Sequence, residues 1–255
     1  MYLCSVAIMQ QNKTKNNMII NYKEPKNLLS KGTTNPKTAK NNFDTFILYL
    51  APHKQNSLKI NICPKASKGC AASCLFSAGR GKFSNVVKAR INKTEYFLQD
   101  KKGFINQLAN ELIKINSKAS KNVNQTLIRL NGTSDLDFIY LLKKYANFDI
   151  ANYTNLHFYD YTKILGKVKK YANDKNYTLT FSRAEDNESD IFKAIQYGAN
   201  VSAVFSGDLP KQYKNIPVID GDKTDNEMLK YKGYILGLKA KGDAKKDTSG
   251  FVINN

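Results

Sequence analysis

An α/β fold built as a TIM-barrel-like parallel (β/α) barrel, complete or incomplete, is what this sequence predicts. Three observations predict it. From residue 126 onward, short β-branched and aromatic runs alternate with stretches of helical period. Strands separated by helices pair in parallel through right-handed crossovers. Counting an early run at 45–52 gives about seven strands, close to the eight of a closed barrel. A doubly wound open sheet is the alternative, but no glycine-rich phosphate fingerprint follows any strand.

The elements follow in order. Residues 1–44 are rich in Lys, Asn and Thr without a sustained apolar period, and are expected to form a flexible polar arm. Met1–Gln10 lacks a basic start and a cleavage site, so no signal peptide is expected. Residues 45–255 are then a single domain. Thr45-Phe-Ile-Leu-Tyr-Leu-Ala-Pro52 reads as a strand ended by Pro, and Ser57–Ile62 as a second one by its alternation. Helices are expected at 85–99 and 102–115, the latter placing Phe104, Ile105, Leu108, Leu112, Ile113 and Ile115 near one face. Strands at 126–130, 156–159, 177–181, 201–205, 216–219 and 234–238 follow, with helices at 136–145, 164–171 and 190–197 between the first of them.

Composition narrows the class. A 42% hydrophobic share in 255 residues supports a real core, which excludes wholesale disorder. No run reaches the roughly 18 apolar residues of a membrane span, so no membrane partner is expected and the cytoplasm is the default location. The net charge of +19 attracts polyanions. Lys and Asn dominate the polar residues, as an AT-rich coding sequence would impose. The four arginines, Arg80, Arg90, Arg129 and Arg183, are therefore better site candidates than any single Lys.

Parallel α/β folds gather chemistry where strands end. Here those ends carry Asn131, Ser134 and Asp135, then Asp160, then Arg183 and Glu185, then Asp208, then Asp220-Gly221-Asp222, then Lys239 and Lys241. Some of these residues suit helix caps, Asp135 before Leu136 and Asp190 before Ile191 among them. As a set, a closed barrel would gather the carboxylates at one mouth, where their mutual repulsion and nearby cations split their pKa values. Asp-Gly-Asp is the sharpest piece, either a bare turn or two carboxylates aimed at one spot.

Cys63, Cys70 and Cys74 lie within twelve residues, which in a reducing compartment favours metal over disulfide. Zinc would need a fourth ligand, His53 or His157, with His53 nearer in sequence; an iron–sulfur cluster could use the three thiolates alone. The spacing C-x6-C-x3-C fits neither C-x3-C-x2-C nor ferredoxin runs. Gly79-Arg80-Gly81, Lys82 and Arg90 then open a helix with basic residues suited to phosphate, so Arg80, Lys82 and Arg90 are candidate nucleic-acid contacts.

At this point the residues resemble a known family. Cys63, Pro64, Ala66, Cys70, Cys74 and Leu75, then Gly79-Arg80-Gly81, Ala89-Arg90, Lys93-Thr94 and Phe97, carry the first part of the likeness. Leu130-Asn-Gly-Thr-Ser-Asp135, Ile219-Asp-Gly-Asp222 and Gly237-Leu-Lys-Ala-Lys-Gly242 carry the rest. Together they resemble the phage family called gene product 88, over about residues 45–253. The chain is more distantly similar to phage DNA-guanine transglycosylases, relatives of the tRNA-guanine transglycosylases. That second likeness implies a (β/α) barrel, a zinc on three cysteines and a histidine, and an Asp that attacks C1′ and expels guanine. A free 7-deazaguanine base then displaces the enzyme, and a second Asp reads the purine edge. The cysteines here precede most strands and do not follow the C-x-C-x2-C spacing of those enzymes.

The expected activity is therefore exchange of guanine in double-stranded phage DNA for a 7-deazaguanine, shielding it from host restriction. Asp220 or Asp222 would be the nucleophile, and Asp135 would hold the purine edge. Asn131, Ser134, Asp160 and Arg183 would orient ribose or phosphate, with Lys239 and Lys241 on the DNA backbone. The alternatives are an iron–sulfur, radical-type enzyme on a partial barrel and a non-catalytic nucleic-acid-binding protein.

Overall fold

Apolar runs of period two and amphipathic runs of period 3.6 meet in one sheet with a helical layer. The computed structural model describes residues 22–34, 38, 43–74, 76, 79–120, 126–223 and 227–254. The strands are β1 (Leu29–Lys31), β2 (Thr45–Leu48), β3 (Thr126–Arg129), β4 (Leu156–Thr162) and β5 (Tyr177–Ser182). They continue with β6 (Asn200–Phe205), β7 (Gln212–Tyr213), β8 (Ile216–Asp220), β9 (Ile235–Lys239) and β10 (Val252–Ile253). The helices are α1 (Lys68–Ala72), α2 (Ser84–Gln99), α3 (Lys101–Ala119), α4 (Phe138–Ala146), α5 (Leu165–Tyr171), α6 (Ile191–Gln196) and α7 (Glu227–Lys230).

Among the described residues the sheet runs β1-β2-β3-β4-β5-β6-β9-β8-β7, with β10 on β6. Neighbours from β2 to β6, and then β9 and β8, pair in parallel; β1 and β7 close the two ends antiparallel. The order rises along the chain to β6 without the reversal of a doubly wound sheet. No pairing among the described residues joins β1 to β7, so the strands do not form a closed hydrogen-bonded ring.

The two faces differ. On one, Leu48, Ile128, Phe158 and Leu179 pack under α2, α3 and α4 through Phe97, Phe104, Leu108 and Phe138. The same side continues with Phe181, Val201, Phe205 and Ile235 under Val168 of α5 and Ile191 of α6. On the other, Leu127 of β3 and Tyr159 of β4 share a cluster with Leu236 of β9, Ile219 of β8 and Leu229 of α7. Two strands, β5 and β6, separate β4 from β9 in the sheet, so this contact requires the face to curl into a concavity.

Several expectations need correction. Residues 57–62 form turns, not a strand, because Asn56 accepts from the Ile60 N–H and donates to its carbonyl, and Lys59 sits at φ 54°. The arm at 1–44 is not irregular throughout: Leu28 is fully buried, the Leu28 and Leu29 N–H groups donate to Glu111, and β1 pairs with β2. Residues 1–21, Cys4 included, lie outside the described residues. Asp137, not Asp135, caps α4 by accepting from Tyr140 N–H, and Asp190 precedes α6 without a side-chain cap bond.

Candidate functional site

The cysteine segment is the loop that leaves β2 and returns as α1. After Pro52 the chain turns at His53, φ 51°, whose backbone N–H donates to Cys63 Sγ at 3.4 Å. The Cys63 thiol donates to the Thr133 carbonyl at 3.8 Å, and the Asp135 N–H donates to the Ile62 carbonyl at 3.1 Å. These bonds fasten the loop to the end of β3. Ser67 caps α1 by accepting from Cys70 N–H at 3.0 Å, and its hydroxyl donates to Glu185 Oε2 at 2.7 Å. Glu185 Oε1 accepts from Gly69 N–H at 2.7 Å, which fastens the same loop to the end of β5. A Cβ on Gly69 would stand 2.0 Å from Ser249 Oγ and 2.6 Å from Phe251 Cβ, so only glycine lets α1 approach the chain before β10.

The three thiols share one neighbourhood. Burial pushes the Cys63 thiol up to about 12, helped by the charges of Cys74, Asp135 and Cys70 and opposed by the His53 N–H. Burial also raises Cys74, with Cys70 adding and Lys163 and Arg90 opposing. Without a cation these two are neutral thiols near pH 7, and poor nucleophiles. Among the described residues no three of His, Cys, Asp and Glu form a group able to hold a metal ion. Cys63, Cys70, Cys74 and His53 are thus not assembled as a four-ligand centre for a single ion. The chemistry of the donor set, three soft thiols with two cations beside them, suits a polynuclear iron–sulfur centre, which needs a wider triangle of thiolates and no histidine.

Of the expected site residues, those after β3 form a closed network. Asp135 accepts from Thr162 Oγ1 at 2.8 Å, Lys163 N–H at 2.8 Å and the buried Lys167 ammonium at 3.1 Å. Asn131 Oδ1 accepts from the Ser134 hydroxyl and the Leu136 N–H. The Asn131 backbone and side-chain N–H groups donate to Asp160 at 2.7 and 3.0 Å. Asp160 shares the side of Leu156 and Phe158, facing the helices, and burial lifts its carboxyl to about 6 against the charges of Lys167 and Arg129. It is in no position to orient a sugar at the mouth.

The other strand ends are also committed. The Arg183 guanidinium donates to the carbonyls of Gly250 and Phe251 at 2.6 and 2.8 Å and pairs with Glu188 at 3.3 Å, so it holds the chain before β10 in place. Asp220 lies on the side of Ile216 and Val218, also toward the helices, and accepts from Asp222 N–H at 2.9 Å. Asp222 accepts from Lys239 N–H at 2.9 Å and pairs with Lys241 at 2.7 Å, while Lys239 pairs with Asp208 at 2.9 Å. The carboxylates therefore do not converge on the concavity. Arg80 and Lys82 are exposed on a short 3-10 turn, Gly79–Lys82, and Arg90 lies inside α2.

What faces the concavity is polar and neutral apart from one cation. By alternation, Thr45, Arg129, His157, Tyr161, Thr178, Thr180, Ser182, Asn200 and Ser202 point there, and no Asp or Glu on β2–β6, β8 or β9 does. Arg129 lies 4.7 Å above the Tyr161 ring, His157 Nε2 bonds Thr178 Oγ1 at 2.8 Å, and Ser202 donates to Ser182 at 3.2 Å. Thr45 Oγ1 and Thr180 Oγ1 are buried without a hydrogen-bond partner. The signal was in the sequence: hydroxyls at every second position of Thr178-Leu-Thr-Phe-Ser182 mark a strand with one polar face.

No helix among the described residues is long and apolar enough to cross a membrane. No curated protein and no solved structure matches the chain. A family model described as Gene product 88 matches residues 22–255, nearly everything just described, and the chain belongs to that family.

Proposed function

We propose that the protein is an enzyme that performs iron–sulfur-dependent chemistry on a nucleic-acid or nucleotide substrate at the cysteine end of an incomplete (β/α) barrel. One observation carries the reading. Cys63, Cys70 and Cys74 sit in the loop after the first parallel strand, beside one another and beside Arg90 and Lys163, at the strand ends where such folds work. Burial of Cys63 and Cys74 as neutral thiols argues against a cysteine nucleophile and for a cation that draws the protons off. Cys63, Cys70 and Cys74 would hold the cluster, which when bound supplies one-electron transfer. Glu185 and Asp135 hold the loop on the sheet, and the net charge of +19 favours a polyanionic partner.

The test is anaerobic purification of the full chain with iron and sulfide analysis and a visible absorption spectrum. The reading expects bound iron and sulfide that fall in C63A, C70A and C74A. A colourless protein carrying zinc, with iron taken up at no stage, overturns it.

Base exchange of guanine in DNA for a 7-deazaguanine is the second reading, and zinc on Cys63, Cys70, Cys74 and His53 belongs to it. The observation in its favour is the Asp220-Gly221-Asp222 turn, two carboxylates next to Lys239 and Lys241 at a strand end. A carboxylate there suits the oxocarbenium-like transition state at C1′. Nucleoside mass spectrometry of DNA treated with D220N and D222N tests it: one of the two should lose incorporation while DNA binding persists, and full activity in both removes the nucleophile.

A further inference from the structure

We infer that Arg90 and Lys163, with the rings of Tyr49 and Phe76, form a binding site for an oxyanion, phosphate or carboxylate, carried by a small-molecule substrate beside Cys74. The inference rests on the cysteine end being the reaction centre, and it names what that centre recognises.

The Arg90 guanidinium carbon lies 4.8 Å from the Tyr49 ring centroid and 5.6 Å from that of Phe76. Tyr49 follows β2, Phe76 follows the cysteine loop, and Arg90 comes from α2, so three separate segments set this stack. The Tyr49 ring is itself fixed, because Gly132 lets the chain after β3 cross over it; a Cβ at Gly132 would stand 2.6 Å from Tyr49 Cδ1. Within the stack the Arg90 Nε and Nη1 atoms are buried and have no hydrogen-bond partner. A guanidinium used only for packing donates to backbone carbonyls, as Arg183 Nη1 does to Gly250 and Phe251. Two donors of a planar fork, held desolvated and unsatisfied, match the two oxygens of a carboxylate or phosphate.

The second cation approaches from another element. Lys163 follows β4, its ammonium lies 5.7 Å from the Phe251 ring, and its charge and that of Arg90 both reach Cys74. Among the described residues neither cation is ion-paired; Asp135, which accepts from the Lys163 N–H, gives its salt bridge to Lys167. Glu185, the other acid of the loop, is taken by Ser67 and Gly69. The carboxylates that line this end are thus turned to structural partners, and the two cations face a thiol with no anion to balance them.

Isothermal titration of the full chain with inorganic phosphate, adenosine monophosphate and acetate tests the site. R90K keeps the charge and loses the fork; K163M removes the second charge. Saturable binding that weakens at least tenfold in R90K and less in K163M, with thermal midpoints near wild type, supports the site. Stronger binding of phosphate and the nucleotide assigns a phosphate, and stronger binding of acetate a carboxylate. No saturable binding to wild type, or equal binding by wild type and R90K, overturns the inference. Iron measured on the same preparations separates the two claims. Oxyanion binding by an iron-free, zinc-containing protein leaves this site standing and removes the iron–sulfur reading, and the converse result does the reverse.

Discussion

The two ends of the strand rim are built differently. Around the cysteine loop, charged and polar groups from β2, β3, β4, β5 and the chain before β10 interlock out of water: Asp135 with the buried Lys167, Glu185 with Ser67 and Gly69, Arg183 with Gly250 and Phe251. Around Asp220–Asp222 the pairs are open to solvent; Lys239 and Asp208 are 56% and 100% exposed. Exposed pairs are screened and contribute little, while buried ones fix geometry and cost dearly when broken. The lesson is that abundance of carboxylates did not locate the preorganised end. The density of contacts between remote segments does, and it points to the cysteines.

Breaking Asp135 should have the largest effect. D135N leaves Lys167 buried without its partner, and a loss of about 3–5 kcal/mol is expected. Chemical denaturation measures it, and the double variant D135N/K167M should regain part of the loss. A loss under about 1 kcal/mol would mean that this end is no more preorganised than the other.

Asp160 sharpens the same comparison through pH. Its folded carboxyl titrates at about 6, above the ordinary 3.8, so the folded state keeps a proton the unfolded chain has released. Its contribution is fully present below about pH 4 and declines as pH rises through 6, by roughly 3 kcal/mol in all. D160N should flatten that part of the stability profile between pH 4 and 6; an unchanged slope would contradict the assignment.

G69A comes next. The added methyl meets Ser249, Phe251 and Glu185, and overpacking of this kind costs about 1–3 kcal/mol. The thermal midpoint should fall accordingly, and the loop should become more open to alkylation of Cys63 and Cys74, which are otherwise slow because burial keeps them protonated. At the open end, D222N should shift stability by less than about 1 kcal/mol, since Lys241 is more than half exposed.

The strand and helix order was legible because period-two and period-3.6 runs alternate cleanly from 126 onward; the helices at 84–99 and 101–119 fall within a few residues of their sequence positions. The cysteine cluster and Arg90 were legible as residue types. Which side of a strand each acid takes was not weighed, although alternation carries it: Asp160 and Asp220 stand in the same phase as the helix-facing Phe158 and Val218. The β1, β7 and β10 strands are two or three residues long and owe their existence to edge pairing, which leaves no period to read. The turn at 57–62 was missed because a single asparagine, Asn56, captures the chain against its alternation.

The central claim is that the thiols of Cys63, Cys70 and Cys74 are the reaction centre. Iron, sulfide and zinc quantified on the full chain purified without oxygen, beside C70A, test it most directly. Iron and sulfide in the wild-type protein, with visible absorption lost in C70A, are expected; zinc alone, in a colourless protein with the same content in C70A, would contradict it.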